Sequence, residues 1–105
     1  LMIQNEFNEL FIVETEASDK MLISKAIEYA GEEDRLENFK QAAGMLGVNP
    51  AQALIGMLVK HFVSVGKMSK TPHAYSMDKW DEKLRDIRNY TYLLKAVLTD
   101  IGVNK

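Results

Sequence analysis

The sequence contains no cysteine and only two prolines. Without cysteine the chain forms no disulfide, offers no thiolate nucleophile and builds no zinc site of the cysteine type. This absence is compatible with a reducing compartment, and we expect a cytoplasmic protein. No membrane span is expected either, because the longest apolar run, residues 53–59, is far shorter than the ~20 residues that a spanning helix needs.

An excess of positive charge is also missing. The formal net charge is -2 and the pI is about 5.7, whereas proteins that bind nucleic acid through its phosphates usually carry a basic patch. Neither a glycine-rich phosphate loop nor a Gly-x-Ser-x-Gly nucleophile motif occurs. The sequence therefore gives no strong signal for nucleic-acid binding or for serine-type catalysis.

The residues that are present predict one all-α domain over residues 1–105. Hydrophobic residues make up 47% of the chain, enough for a core. Apolar positions at helical spacing predict four helices, at about 3–30, 34–46, 50–68 and 77–101, with a loop at 69–76. Asn49 before Pro50 and the Asp34/Glu37 pair are typical helix starts. The short connections favour an up-down four-helix bundle.

The last helix carries an acidic residue on its apolar side. At about 100° per residue, Asp86 falls among Tyr90, Leu93 and Val97. The opposite arc is predicted to face solvent and consists of Asp81, Arg85, Arg88, Tyr92, Lys95 and Thr99. A buried carboxylate is costly unless it is paired. Asp86 is therefore expected to meet either a basic side chain of another helix or a bound cation.

Two further polar positions have more than one interpretation. His61 lies on the apolar side of the third helix, where a hydrogen-bonded core histidine is more common than a metal ligand. In the first helix, a break near residues 15–19 leaves Glu28 exposed, whereas one continuous helix turns Glu28 into the bundle. In the second case a further carboxylate is available inside the fold.

Carboxylates on helices that face a bundle interior are a known way to hold divalent metals. Glu82 and Asp86 are four residues apart and therefore neighbours on one helix surface. Oxygen ligands suit Mg²⁺ or Mn²⁺, and Mg²⁺ often acts together with substrate phosphates. We therefore predict a metal site formed by Glu28, Glu82 and Asp86.

Three stretches of the chain resemble a known family: residues 25–29 (KAIEY), 33–39 (EDRLENF) and 82–90 (EKLRDIRNY). Over roughly residues 20–100 the chain resembles small phage and prophage proteins related to the MazG-like all-α nucleoside triphosphate pyrophosphohydrolases and to nucleotide-modification-associated domains. The resemblance implies a bundle of four or five helices, a dimer or higher homo-oligomer, and bound Mg²⁺.

The same resemblance implies roles for individual residues. Glu82 and Asp86 would be the catalytic carboxylates, acting through metal ions held with Glu28. A nucleoside triphosphate would be cleaved to the monophosphate and pyrophosphate by metal-assisted hydrolysis. The family pattern of an E-x-x-E helix and an E-x-x-D helix is not reproduced here. Lys25 and Lys60 would contact the phosphates of the nucleotide, and Asn89 and Tyr90 would contact its sugar or base.

Two other functions are compatible with the same sequence. The first alternative is a non-enzymatic helical protein that binds another phage or host protein, with Asp86 and His61 as buried polar pairs. The second is a structural homo-oligomer. An enzyme of this type needs at least three converging carboxylates, whereas an interaction protein needs a contiguous exposed apolar patch.

Overall fold

The computed structural model describes residues 1–30 and 34–104, and the side chains of residues 25–30 lie outside that description. The described chain is helical, which confirms the all-α prediction. The four helices are α1 (Gln4–Ala30), α2 (Glu37–Leu46), α3 (Pro50–Ser69) and α4 (Met77–Asp100). A short 3₁₀ helix, Pro72–Ala74, occupies the predicted loop.

The core lies where α2, α3 and α4 meet. Its buried members come from all three helices and from the turn before α2: Leu36, Phe39, Leu54 and Val97. Leu54 is completely inaccessible to solvent and Val97 nearly so. The extensive packing of α3 on α4, and of α2 on α3, makes this three-helix unit the compact part of the molecule.

The connection between α2 and α3 forms a corner. Gly47 takes a left-handed conformation with φ 68°, which ends α2 with a residue type that adopts it without strain. Asn49 then accepts a hydrogen bond from the backbone of Gln52, whose side chain accepts one from Asn49. This capping box, followed by Pro50, confirms the predicted helix start. The two helices are bent by 97°, so this pair is not antiparallel as the short connection suggested.

The start of α2 differs from the prediction. The helix begins at Glu37, and the backbone N–H of Leu36 donates to the Asp34 side chain across a turn. Asp34 is therefore a turn residue rather than the N-cap. It also pairs with Lys40, which in turn contacts Asp100 at 3.2 Å. The carboxylate bonds to its own turn and to Lys40 instead of to the first helical amides.

Helix α1 packs mainly on α4, and polar contacts join its middle to that helix. Arg88 donates to Glu14 at 2.9 Å and to the hydroxyl of Ser18 at 3.0 Å, and Arg85 lies 3.7 Å from Glu14. Ser18 is only 1% exposed. The arc of α4 predicted to face solvent therefore receives α1, and a polar cluster takes the place of water there.

Among the described helices none is by itself long and apolar enough to cross a membrane. The bent pair of α2 and α3 meets that measure of length and composition only when the two are taken together.

Candidate functional site

A partly open cavity of about 330 Å³ lies between the turn before α2, the helices α2, α3 and α4, and one residue of α1. Its walls combine apolar and polar side chains: Leu22, Arg35, Asn38, Phe39, Met57, Asp86, Asn89, Tyr90 and Leu93. An apolar cavity with a few converging polar groups is the usual form of a small-molecule site. This volume is at the lower end of the range for such sites.

Asn89 is the most unusual polar residue of the cavity wall. It is 7% exposed, and its Oδ1 atom is buried without a hydrogen-bond partner among the described residues. Leaving a buried acceptor unsatisfied costs on the order of 1–3 kcal/mol. Buried polar groups without partners are uncommon and often mark a position where a ligand or water completes the bonding. Asn89 therefore places a buried acceptor, without a partner among the described residues, in a residue that lines the cavity.

Asp86 meets His61, the other polar residue that the sequence placed on an apolar helix face. The Nδ1 atom of His61 lies 3.9 Å from Oδ2 of Asp86, and the two side chains are 23% and 22% exposed. The imidazole ring also packs against Tyr90, with ring centroids 5.0 Å apart. His61 of α3 and Asp86 of α4 thus face each other, with Asp86 in the cavity wall, and among the described side chains no lysine or arginine pairs with Asp86.

Arg35 enters the cavity wall from the turn that precedes α2. Hydrogen bonds to Asp34 from Lys40 and from the Leu36 backbone fix this turn, and they lower the pKa of the Asp34 carboxyl. The same contact with Asp34, together with Asp100, raises the pKa of Lys40. Lys40 therefore links the turn at Asp34 to the end of α4 at Asp100, and we call these contacts the Lys40 clamp. The clamp fixes the backbone that carries Arg35.

Of the predicted site residues, three lie at this cavity: Asp86, Asn89 and Tyr90. Glu82 does not line it; its side chain is 57% exposed and lies 3.8 Å from Lys79. Lys60 is exposed on α3 and is likewise absent from the cavity wall. Lys25 and Glu28 belong to α1, but their side chains lie outside the described residues.

The described residues do not by themselves form a metal centre. No three histidine, aspartate or glutamate side chains within residues 1–24 and 34–104 come together as metal ligands. Asp86 faces His61, whereas Glu82 faces solvent and Lys79. The described carboxylates therefore do not fit a three-carboxylate site without Glu28, and no chemical step through a metal follows from them.

Sequence reasoning missed Arg35 and Asn38 as cavity residues. Both belong to the stretch 33–39, which was singled out for its resemblance and not for these side chains. An arginine in a turn just before a helix start is a usable signal, because such a position lies at the rim of a bundle. The pairing of His61 with Asp86 had a clearer signal, since each was polar on an apolar face.

Related proteins give no further information about this cavity. Comparison of the chain with protein-family models, with curated proteins and with solved structures gives no significant match.

Proposed function

We propose that the cavity binds a small nucleotide phosphate. The observation that carries this proposal is that Asn89, which lines an open cavity, has a buried Oδ1 atom without a hydrogen-bond partner among the described residues. A ligand donor in the cavity can bond to this acceptor once the Asn89 side chain turns toward it, because the buried atom is itself closed to solvent. Nucleotides offer such donors in their sugar hydroxyls and exocyclic amino groups.

The other polar residues fit the remaining parts of such a ligand. Arg35 supplies a permanently charged guanidinium, which suits a phosphate group through paired N–H donors. Tyr90 and Phe39 also line the cavity and contribute aromatic surface, with ring centroids 6.5 Å apart. Asp86 adds a second acceptor near Asn89. A cavity of about 330 Å³ holds one small ligand of this kind and little more.

Hydrolysis of a nucleoside triphosphate is the fuller form of the proposal. It requires Mg²⁺ or Mn²⁺ held by Asp86 together with further carboxylates, of which Glu28 is the candidate within the adjoining part of the chain. Glu82 would have to leave Lys79 and turn toward the cavity to take part. Binding is therefore the primary claim, and hydrolysis is a separate activity to be assayed.

The test is thermal melting with nucleoside mono- and triphosphates, each with and without Mg²⁺. A ligand that binds only the folded state at about 100 times its Kd stabilises it by about 2.7 kcal/mol, which raises the melting temperature by several degrees. Arg35→Gln and Asn89→Leu are expected to abolish the shift. Lys60→Gln is the matched control, since Lys60 lies outside the cavity, and it should keep the shift.

Arg35→Gln and Lys60→Gln together distinguish binding in the cavity from binding at another anion site. A shift that survives in Arg35→Gln but disappears in Lys60→Gln would move the binding site to the exposed face of α3. Absence of any shift at millimolar nucleotide would refute the proposal. A shift that needs Mg²⁺, with release of pyrophosphate, would extend it to hydrolysis.

A second candidate function, action through contact with other proteins or through self-assembly, is favoured by a separate observation. Large apolar side chains are exposed along α1 and α3, and none of them lines the cavity.

A further inference from the structure

The first half of α1 is an apolar helix with little of its own chain against it. We call residues 3–13 the arm. Every residue of the arm is exposed, and six large apolar side chains are about half accessible or more: Ile3, Phe7, Leu10, Phe11, Ile12 and Val13. Phe7, Leu10 and Phe11 line a groove of about 220 Å³ beside α4, whereas Ile12 lies on the opposite side of the helix. A helix that is apolar on several sides is typically buried.

The whole molecule is larger than a compact chain of its length. Its radius of gyration is 16.0 Å, against about 13 Å for a compact domain of this length. Its accessible surface is 7716 Å², against roughly 5,900 Å² for a monomer of this mass. The excess, roughly 1,800 Å² per chain, is what one subunit buries in a large homodimer interface.

The exposed face of α3 is a second apolar surface. Its members follow helical spacing on one side of the helix: Ile55, Val59, Phe62 and Val63. Each is between 42% and 53% exposed. Because α1 packs mainly on α4, the arm of the same chain does not cover this face. The arm and this face of α3 are thus two exposed surfaces that are both helical and both apolar.

Charge distinguishes the two surfaces and makes them complementary. The first nineteen residues contain five acidic residues and no lysine or arginine. Residues 50–77 contain three lysines and no acidic residue. Glu6 and Glu9 are exposed on the arm, and Lys60 and Lys67 are exposed on α3 beside the apolar stripe. Two arms would repel each other, whereas an arm and an α3 face would attract.

We propose that the arm of one copy docks on the exposed face of α3 of a second copy, and that the second copy's arm docks on the first. The occupant is a second copy because this one chain carries both complementary surfaces. A two-fold axis makes the exchange reciprocal and closes the assembly as a dimer. Apolar burial supplies the affinity, and the acidic arm against the basic face sets the pairing.

This dimer does not depend on nucleotide binding. Its surfaces contain none of the cavity residues, so either proposal can fail without the other.

The experiment is a charge exchange between the two surfaces, read by light scattering after size-exclusion chromatography and by native mass spectrometry. The arm variant carries Glu6→Lys and Glu9→Lys, and the face variant carries Lys60→Glu and Lys67→Glu. All four positions are exposed, and circular dichroism verifies that both variants keep their helices. The wild type is expected to be a dimer. Each variant alone places like charges across both contacts, which should weaken dimerisation by roughly tenfold or more.

Mixing the two variants is the decisive step. In the mixed dimer a basic arm meets an acidic face, and an acidic arm meets a basic face, so dimerisation should be restored. A wild type that is monomeric at micromolar concentration would overturn the proposal. So would variants that dimerise as the wild type does, or a mixture of the two variants that stays monomeric.

Discussion

The core and the arm of this molecule differ in where their apolar side chains lie. Around Leu54 and Val97, three helices enclose an apolar centre from which solvent is excluded. In the arm, apolar side chains of similar size lie on the surface. Apolar content alone therefore does not define the core of this protein. What differs is the number of helices that meet, because a side chain is buried only where neighbours surround it on several sides.

The largest expected effect is in the core. Leu54→Ala should lower the free energy of unfolding by about 2–5 kcal/mol, because the lost side chain leaves a cavity among three helices. Urea denaturation monitored by circular dichroism measures it. Met45→Ala is the control in the neighbouring helix, since Met45 is 89% exposed, and its loss should stay within about 0.5 kcal/mol. Similar losses in both would contradict the assignment of the core.

The next effect is at the junction between core and arm. Arg88→Gln removes the nearer of the two arginine partners of Glu14 and a donor to the buried Ser18, which should cost about 1–3 kcal/mol. The loss is expected to be local, with faster hydrogen exchange and proteolysis in α1 than in α3. Lys95→Gln, an exposed change on the same helix, should leave both rates unchanged. Unchanged exchange in α1 of Arg88→Gln would mean that other contacts hold the helix.

A smaller effect of opposite sign is expected at the cavity. Asn89→Leu replaces an unsatisfied buried acceptor with an apolar side chain of similar size, and should stabilise the protein by about 1 kcal/mol. The same variant should lose nucleotide binding. Asn38→Leu, at an exposed position of the same cavity, should not be stabilising. Destabilisation by Asn89→Leu would show that the amide is satisfied in solution, for example by water.

The smallest effect concerns the Lys40 clamp. The pKa of Asp34 is lowered, so its contribution to stability is present at neutral pH and disappears as the pH falls through the lowered pKa. The pKa of Lys40 is raised, so its contribution persists at neutral pH and disappears only in strong alkali. Lys40→Gln should therefore lower the melting temperature slightly at neutral pH, and the difference from the wild type should shrink toward strongly acidic pH.

Salt provides the control for the clamp. Both groups are accessible to solvent, so high ionic strength should also reduce the difference between Lys40→Gln and the wild type. Lys67→Gln, which removes an exposed lysine of α3 that is not part of this pair, should show no comparable dependence on acid. A difference that persists undiminished in acid would attribute the effect to packing of the lysine stem.

Helix boundaries were predictable because their signals are local. The cap of Asn49, the proline after it and the left-handed Gly47 each act within a few residues. Asp34 shows the limit of such signals. Its spacing to Glu37 fits a capping box, but its carboxylate pairs with Lys40 and accepts a hydrogen bond from the Leu36 backbone instead. The residues of the cavity were predicted only in part, because sequence signals act locally and the cavity joins residues that are distant in the sequence. Asp86 and Asn89 stood out on one helix, but Arg35 joins them across the fold.

The sequence by itself determined an all-α chain, the positions of its helices and the presence of polar residues on apolar faces, because these follow from periodicity and from local hydrogen bonding. Only the tertiary structure decided that Asp86 meets His61, that α1 covers the charged arc of α4, and that the arm stays exposed. The physical reason is that such contacts depend on how helices cross. A face that is polar by spacing becomes an interface when a neighbouring helix brings Glu14 and Ser18 to its arginines.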